Sequence, residues 1–275
     1  WWILTILAGY GFLKLNTDRP VFRMLYCVMM LGCFPLLFYL PYIYGDVLSI
    51  SFGIILFYGV AAYEHSGQKR YIALASFAAG LAVLARKNTW IVLVAVAVYV
   101  LLVSLRKKKV RYLMAGTAIL LTAALSVKAV DVIYEVRSGY PSGVGVPSIL
   151  WVAMGLQETE GRAGVYNRYQ QATFTDYDCQ QELAAQQGKE YIRERLEEFS
   201  QDPGMAFNFF KNKVEGQWIE PMYAALESTE SFEEGAELSP VLESLYYGEL
   251  GRTIWKLTNY YQSILYLAGL MALVM

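Results

Sequence analysis

The stretch from Tyr71 to Leu105 constrains this chain most. It is apolar almost throughout, and Arg86-Lys87-Asn88 interrupts it near the middle. About 20 apolar residues suffice to cross a hydrocarbon layer of about 30 Å, so the stretch is too long for one span and short for two. A single tilted helix would put the basic run Arg106 to Arg111 opposite Lys69-Arg70. That breaks the rule that basic loops gather on one side of a membrane. A hairpin of two spans, with Arg86-Lys87-Asn88 at its tip, keeps the rule.

The rest of the composition points the same way. Hydrophobic residues make up 56% of the chain and charged residues 17%, against about 25% charged in ordinary soluble domains. The deficit is uneven. Residues 1–130 hold three acids, Asp18, Asp46 and Glu64, and most other carboxylates follow Asp131. An apolar, basic first part and an acidic second part predict a membrane region and a solvated region.

Further apolar runs cover 1–13, Met24 to Leu40 with a kink at Pro35, Val47 to Tyr63, and Tyr112 to Val127. Basic loops at 14–23, 69–70 and 106–111 are assigned to the cytoplasm. Asp46, Arg86-Lys87-Asn88 and everything after about 130 then lie outside. The expected fold is all-α: a polytopic transmembrane helix bundle with a helical extracytoplasmic domain. The boundaries are 1–130 for the membrane region, 131–253 for the extracytoplasmic domain and 254–275 for a last membrane helix. Trp1-Trp2-Ile3-Leu4 and the final apolar residues read as cut from a longer membrane protein. Nothing at the start has the basic and small-residue pattern of a signal peptide.

In the second region, Gly139 to Pro147 reads as a turn-rich linker, and Ser148 to Leu156 as an interfacial helix anchored by Trp151. Thr175 with Asp178 reads as a capping box opening a helix, with Ile192, Leu196 and Phe199 on its inner face. Asp202-Pro203 reads as an N-cap and first helical position. Phe210, Val214 and Trp218 follow as the inner face of the next helix. Glu227 to Glu237 reads as a solvated acidic loop. No alternation of β-branched residues predicts a sheet.

Two places can carry chemistry. Asp46 follows Tyr42-Ile43-Tyr44-Gly45 at the outer end of a span. It reads either as a helix N-cap or as a carboxylate at a cavity mouth, able to orient a hydroxyl or act as a base. Arg86, Lys87 and Asn88 read either as an anchor snorkelling to headgroups or as an anion clamp. Arg brings a planar fork to phosphate oxygens, Lys a point charge and Asn a neutral donor.

The order is a span, an outer Tyr44-Gly45-Asp46, a span, a short basic loop, and then Gly80-Leu81-Ala82-Val83-Leu84-Ala85-Arg86-Lys87-Asn88. A basic loop, a span and a helical domain complete it. This resembles the bacterial GT-C glycosyltransferases, relatives of protein O-mannosyltransferases and of the aminoarabinose transferase of lipid A. The resemblance rests on order and topology over most of the chain. It implies an inverting glycosyltransferase in the cell membrane, with a polyprenyl-phosphate-linked sugar as donor. The acceptor would be a cell-envelope glycan, lipid or protein. It implies Asp46 as the catalytic carboxylate and Tyr44, Arg86, Lys87 and Asn88 as substrate-binding residues. Family members carry their catalytic acid in the first outer loop. No such loop precedes Asp46 here, which places that acid upstream of Trp1 and leaves the catalytic base unassigned.

Asn167, Arg168, Asp176 and Asp178 are further candidates for the acceptor, or ordinary surface. No phosphate-binding Gly-Lys-Ser/Thr loop is present, and no ligand spacing calls for a metal. His65 is assigned no role. The three cysteines make no disulfide framework: Cys27 and Cys33 read as packing residues and Cys179 stands alone. The basic run 106–111 is a topology signal, not a nucleic-acid patch. A transporter or flippase, or a membrane protein with a sensing domain, are the rival readings. Paired interrupted helices in two related halves would mark a transporter, and the sequence has none.

Overall fold

The structure, a computed structural model, describes residues 1–42, 44–143, 145–159, 161–230 and 237–274. The described residues are mainly helical, so the all-α class holds. They form two compact units, Trp1–Ser138 with Met222–Met275, and Gly139–Pro221.

The first unit begins with α1 (Trp2–Asn16), α2 (Pro20–Leu31) and α3 (Phe34–Tyr42). Then come α4 (Gly45–Ser66), α5 (Lys69–Ala85), one 3-10 turn (Lys87–Thr89), α6 (Trp90–Lys107) and α7 (Arg111–Ser138). Among the described residues three stretches are long and apolar enough to cross a membrane: Gly45–Ser66, Lys87–Lys107 and Arg111–Ser138. The α2–α3 pair reaches that length together, bent by 52°. The bend falls at Gly32 and Cys33, not at Pro35, which sits in the first turn of α3 where proline is tolerated.

The core of this unit is built by α4 to α7. Leu56, Ala75, Ala79, Leu93 and Ile119 are fully buried in it. Small residues let the backbones come close, the usual means of packing helices in an apolar solvent. At one end Ser49 of α4 meets Thr89; at the other, Glu64 of α4 meets Tyr99 and Lys107 of α6. So α6 runs alongside α4 in the same direction, and the chain doubles back between α5 and α6. The chain thus turns back at 86–89 as the hairpin reading expects, and one continuous helix is excluded, but of the two arms only Lys87–Lys107 is long and apolar enough to cross a membrane. Gly67 ends α4 in the left-handed region (φ 70°), a position glycine takes without strain.

α7 runs eleven residues past Val127, to Ser138. The apolar run ends where expected, but helix continues through Lys128, Asp131, Glu135 and Arg137, charges of both signs at helical spacing. The separation between the units follows Ser138 rather than residue 130.

The second unit holds α8 (Ser148–Met154), a hairpin of β1 (Glu158–Thr159) and β2 (Arg162–Ala163), α9 (Tyr169–Asp176), α10 (Gln181–Gln201) and α11 (Pro203–Ile219). α8 is a core element here. Leu150 is fully buried against Gly188 of α10, where an added Cβ would lie 2.8 Å from Leu150 Cδ2. Trp151 lies outside, stacked on Tyr166. Asp202 caps α11 as read: its Oδ1 accepts from the Met205 N–H at 2.9 Å, with Pro203 next.

Two readings need correction. No helix starts at Thr175, which lies in the last turn of α9 and donates its hydroxyl to the Gln171 carbonyl. Asp178 and Cys179 both take positive φ and break the chain there, so α10 starts only at Gln181. On α11 the buried face carries Phe209, packed on Phe199 with ring centroids 5.2 Å apart. Phe210, Val214 and Trp218 are exposed, and so is Leu196 on α10. Among the described residues the two-residue hairpin strands are the one piece of sheet, and they lie outside the helical stretch 175–220.

The chain then returns to the first unit with α12 (Ala225–Thr229), α13 (Pro240–Tyr247) and α14 (Glu249–Val274). Of the expected acidic loop Glu227 to Glu237, residues 231–236 lie outside the described residues. α14 starts six residues before Trp255. It is 26 residues long, but Thr258, Asn259, Gln262 and Ser263 dilute its apolar character, and it is not among the helices that qualify as spans.

Candidate functional site

Asp46 and Arg86 meet. The Arg86 Nε lies 2.9 Å from the Asp46 Oδ1, with both side chains partly exposed. Two readings of Asp46 were open, and capping is not what it does. Tyr44 holds the N-cap position of α4, and no side chain caps that helix. Asp46 sits in the first turn instead, where the helix dipole favours an anion, while Arg86 ends α5, where it favours a cation. Two antiparallel helix ends thus present opposite partial charges to a pair of opposite full charges.

The backbone brings them together through Gly45. A Cβ there would lie 2.6 Å from the Ala85 carbonyl oxygen, closer than any side chain can sit. Only glycine allows α4 to begin this near the end of α5. Beside it, Thr89 is buried and its hydroxyl donates to the Ala82 carbonyl at 2.9 Å. Its single proton is thereby engaged, so Ser49 must donate to Thr89 across 2.6 Å. This joins the 3-10 turn to α4 and holds the tip in place. Neither Ser49 nor Thr89 stands out in the sequence. The only trace is two hydroxyls, each a few residues inside an end of an apolar run.

Tyr44 completes the cluster. The Arg86 guanidinium lies 5.7 Å from the centre of its ring, within reach of a cation–π contact. Burial, then the Asp46 charge, push its phenol above the ordinary range, so it stays a hydroxyl. Tyr44 stacks on Tyr39 at 4.9 Å, and the Tyr39 hydroxyl donates to the Tyr223 carbonyl at 2.6 Å. Lys87 and Asn88 are exposed on the 3-10 turn next to Arg86. Among the described residues neither has a partner within the chain.

The opposite end of the same helices carries a second cluster. Glu64 Oε1 lies 2.8 Å from Lys107 Nζ, and its other oxygen accepts the Tyr99 hydroxyl. Sequence reading missed it, because the charges lie near the ends of two helices and more than forty residues apart in the chain.

In the second unit the other candidates divide. The Asn167 amide donates to Gln157 at 2.7 Å and Thr159 at 3.0 Å, and its oxygen accepts from the Tyr169 N–H. It therefore holds the hairpin to α9. Arg168, Asp176 and Asp178 are exposed, and Arg168 takes a positive φ just before α9. Among the described residues no group of three or more His, Cys, Asp or Glu side chains is placed to hold a metal ion. Comparison with family models, with curated proteins and with solved structures returned no match to this chain.

Proposed function

We propose that this chain is part of a polytopic membrane glycosyltransferase of the GT-C kind. It takes a sugar from a polyprenyl-phosphate donor to a glycan, lipid or protein acceptor outside the cytoplasm, with 131–253 on that outer side. The observation that supports this reading is the meeting of Asp46 and Arg86, beside Tyr44, at the end of the bundle that also presents Lys87 and Asn88. Direct displacement at an anomeric carbon needs an oriented acceptor hydroxyl and stabilisation of the departing phosphate. Arg86 contacts Asp46 through its Nε edge, and a guanidinium has five N–H donors, so others remain for phosphate oxygens. Lys87 adds charge and Asn88 a neutral donor. Asp46 holds Arg86 in position and is the group assigned to the acceptor hydroxyl.

The plain alternative is an ion pair that only ties α4 to α5. An exchange of charges separates the two. The full chain is placed in nanodiscs containing polyprenyl phosphate, and binding is titrated. Arg86→Ala should weaken it about ten- to a hundredfold, the worth of one charge-assisted contact of about 1.5–3 kcal/mol. Arg86→Lys should recover part, since a fork becomes a point charge. Asp46→Arg combined with Arg86→Asp should recover part of the melting temperature, since both helix dipoles then oppose the charges, without restoring binding. Recovery of both, or unchanged binding by Arg86→Ala, would leave only the structural tie.

A further inference from the structure

A cavity of about 340 Å³ opens between α1, α4 and α6, lined by Phe12, Phe57, Ala61 and Ala95 along its length. That volume is in the range of about 300–1,000 Å³ typical of small-molecule sites. Its polar lining is confined to Asn16 and Tyr99. Both belong to the end of the bundle away from Asp46: Asn16 ends α1, and Tyr99 donates to Glu64 in the last turns of α4. Arg106 lies seven residues beyond Tyr99, two turns on and on the same face of α6.

The charges at this end are lopsided. Glu64 pairs with Lys107, and Arg70 and Arg111 lie over the rings of Tyr71 and Tyr112. Lys69, Arg106, Lys108 and Lys109 are exposed, with no side-chain hydrogen bond or ion pair among the described residues. An apolar slot ending in a tyrosine, an amide and unpaired cations matches one kind of occupant, an anionic phospholipid. We propose that the α1–α4–α6 slot holds an acyl chain of such a lipid, with its phosphate beside Arg106 and Lys108. The inference rests on the membrane reading and not on the transfer reaction. The Arg86 site sits at the other end of the same helices, so it is a separate site.

The test uses the full chain in phosphatidylcholine nanodiscs. Each carries a trace of phosphatidylglycerol or of phosphatidylcholine, spin-labelled near the end of one acyl chain. Electron paramagnetic resonance then reads the motionally restricted fraction. A preference for phosphatidylglycerol of about fivefold for each of the two cations is expected, the factor for about 1 kcal/mol per surface cation. Arg106→Gln should cut it about fivefold, and Arg106→Gln with Lys108→Gln should bring it close to the phosphatidylcholine level. Ala95→Phe should remove most of the restricted label, and because Ala95 is exposed this variant should still fold. Equal restriction of the two lipids, or no effect of Ala95→Phe, would overturn the inference. So would efficient crosslinking of Ala95→Cys between two copies, which would give the slot to a second chain. Failure of the chain to float with vesicles would remove the membrane reading itself, a different result from flotation without lipid preference.

Discussion

Arg86 and Asp46 are forty positions apart in the chain and 2.9 Å apart in the fold, each on the end of a different helix. Both side chains are more than a third exposed, so their attraction is largely screened. Exposed pairs contribute about 0–1 kcal/mol. A double-mutant cycle of Arg86→Ala and Asp46→Asn, read by thermal unfolding in detergent, should give a coupling within that range. A coupling several times larger would mean that the pair serves the fold first.

Gly45 should be far less tolerant than either charged partner. Gly45→Ala places a methyl 2.6 Å from the Ala85 carbonyl oxygen, and backbone must move to admit it. Overpacking of this kind costs about 1–3 kcal/mol. A lower melting temperature is expected, with loss of a disulfide engineered between Ser49→Cys and Thr89→Cys, whose oxygens are 2.6 Å apart. A variant that melts normally and still crosslinks would contradict the close approach.

Sidedness can be read with cysteines. Asn88→Cys and Lys108→Cys, each in a chain lacking all three native cysteines, should react with an impermeant thiol reagent from opposite sides. The exposed Cys179, tested in a chain lacking Cys27 and Cys33, should label from the same side as position 88. Labelling of 88 and 108 from one side would refute the assigned topology.

In the second unit, Asp202→Ala should cost about 1 kcal/mol, the usual loss for an N-cap. Hydrogen exchange localises it: the Met205 amide, which Asp202 accepts at 2.9 Å, should exchange faster while the middle of α10 is unchanged. Uniform loss of protection across the unit would instead mean global destabilisation.

The hairpin tip was legible because a cation pair is costly inside an apolar run, so its place marks a helix end. The α11 cap was legible because Asp-Pro fixes both the cap and the first turn. The inner face of α11 was not. Phe207, Phe209 and Phe210 lie within four residues, and periodicity cannot choose the phase when neighbouring positions are equally apolar. Phe209 is buried by contacts from Phe199 on another helix, information that no local window contains. Thr175 misled for a related reason. Its cap pattern is genuine in spacing, but the left-handed turn at Asp178 and Cys179 comes first. Of the site, the residue types were readable one by one. That Asp46 turns to Arg86 rather than to its own helix end depends on how closely Gly45 approaches Ala85.

α4 carries an acid in its first turn and another near its last, Asp46 and Glu64, each bound to a cation from a later helix. These two pairs add to the Gly45–Ala85 close approach and to the core packed between α4 and its neighbours, which together resist sliding and rolling of α4. A shift of one turn, about 5.4 Å, would break both pairs at once. Motion in this unit should therefore leave α4 to α6 as a rigid block and pass to the 52° break between α2 and α3. That break holds glycine and cysteine rather than an ion pair, and the helix after it, α3, carries Tyr39, which stacks on Tyr44 beside Arg86. Rocking there would move the wall of the site while its charged floor stays still.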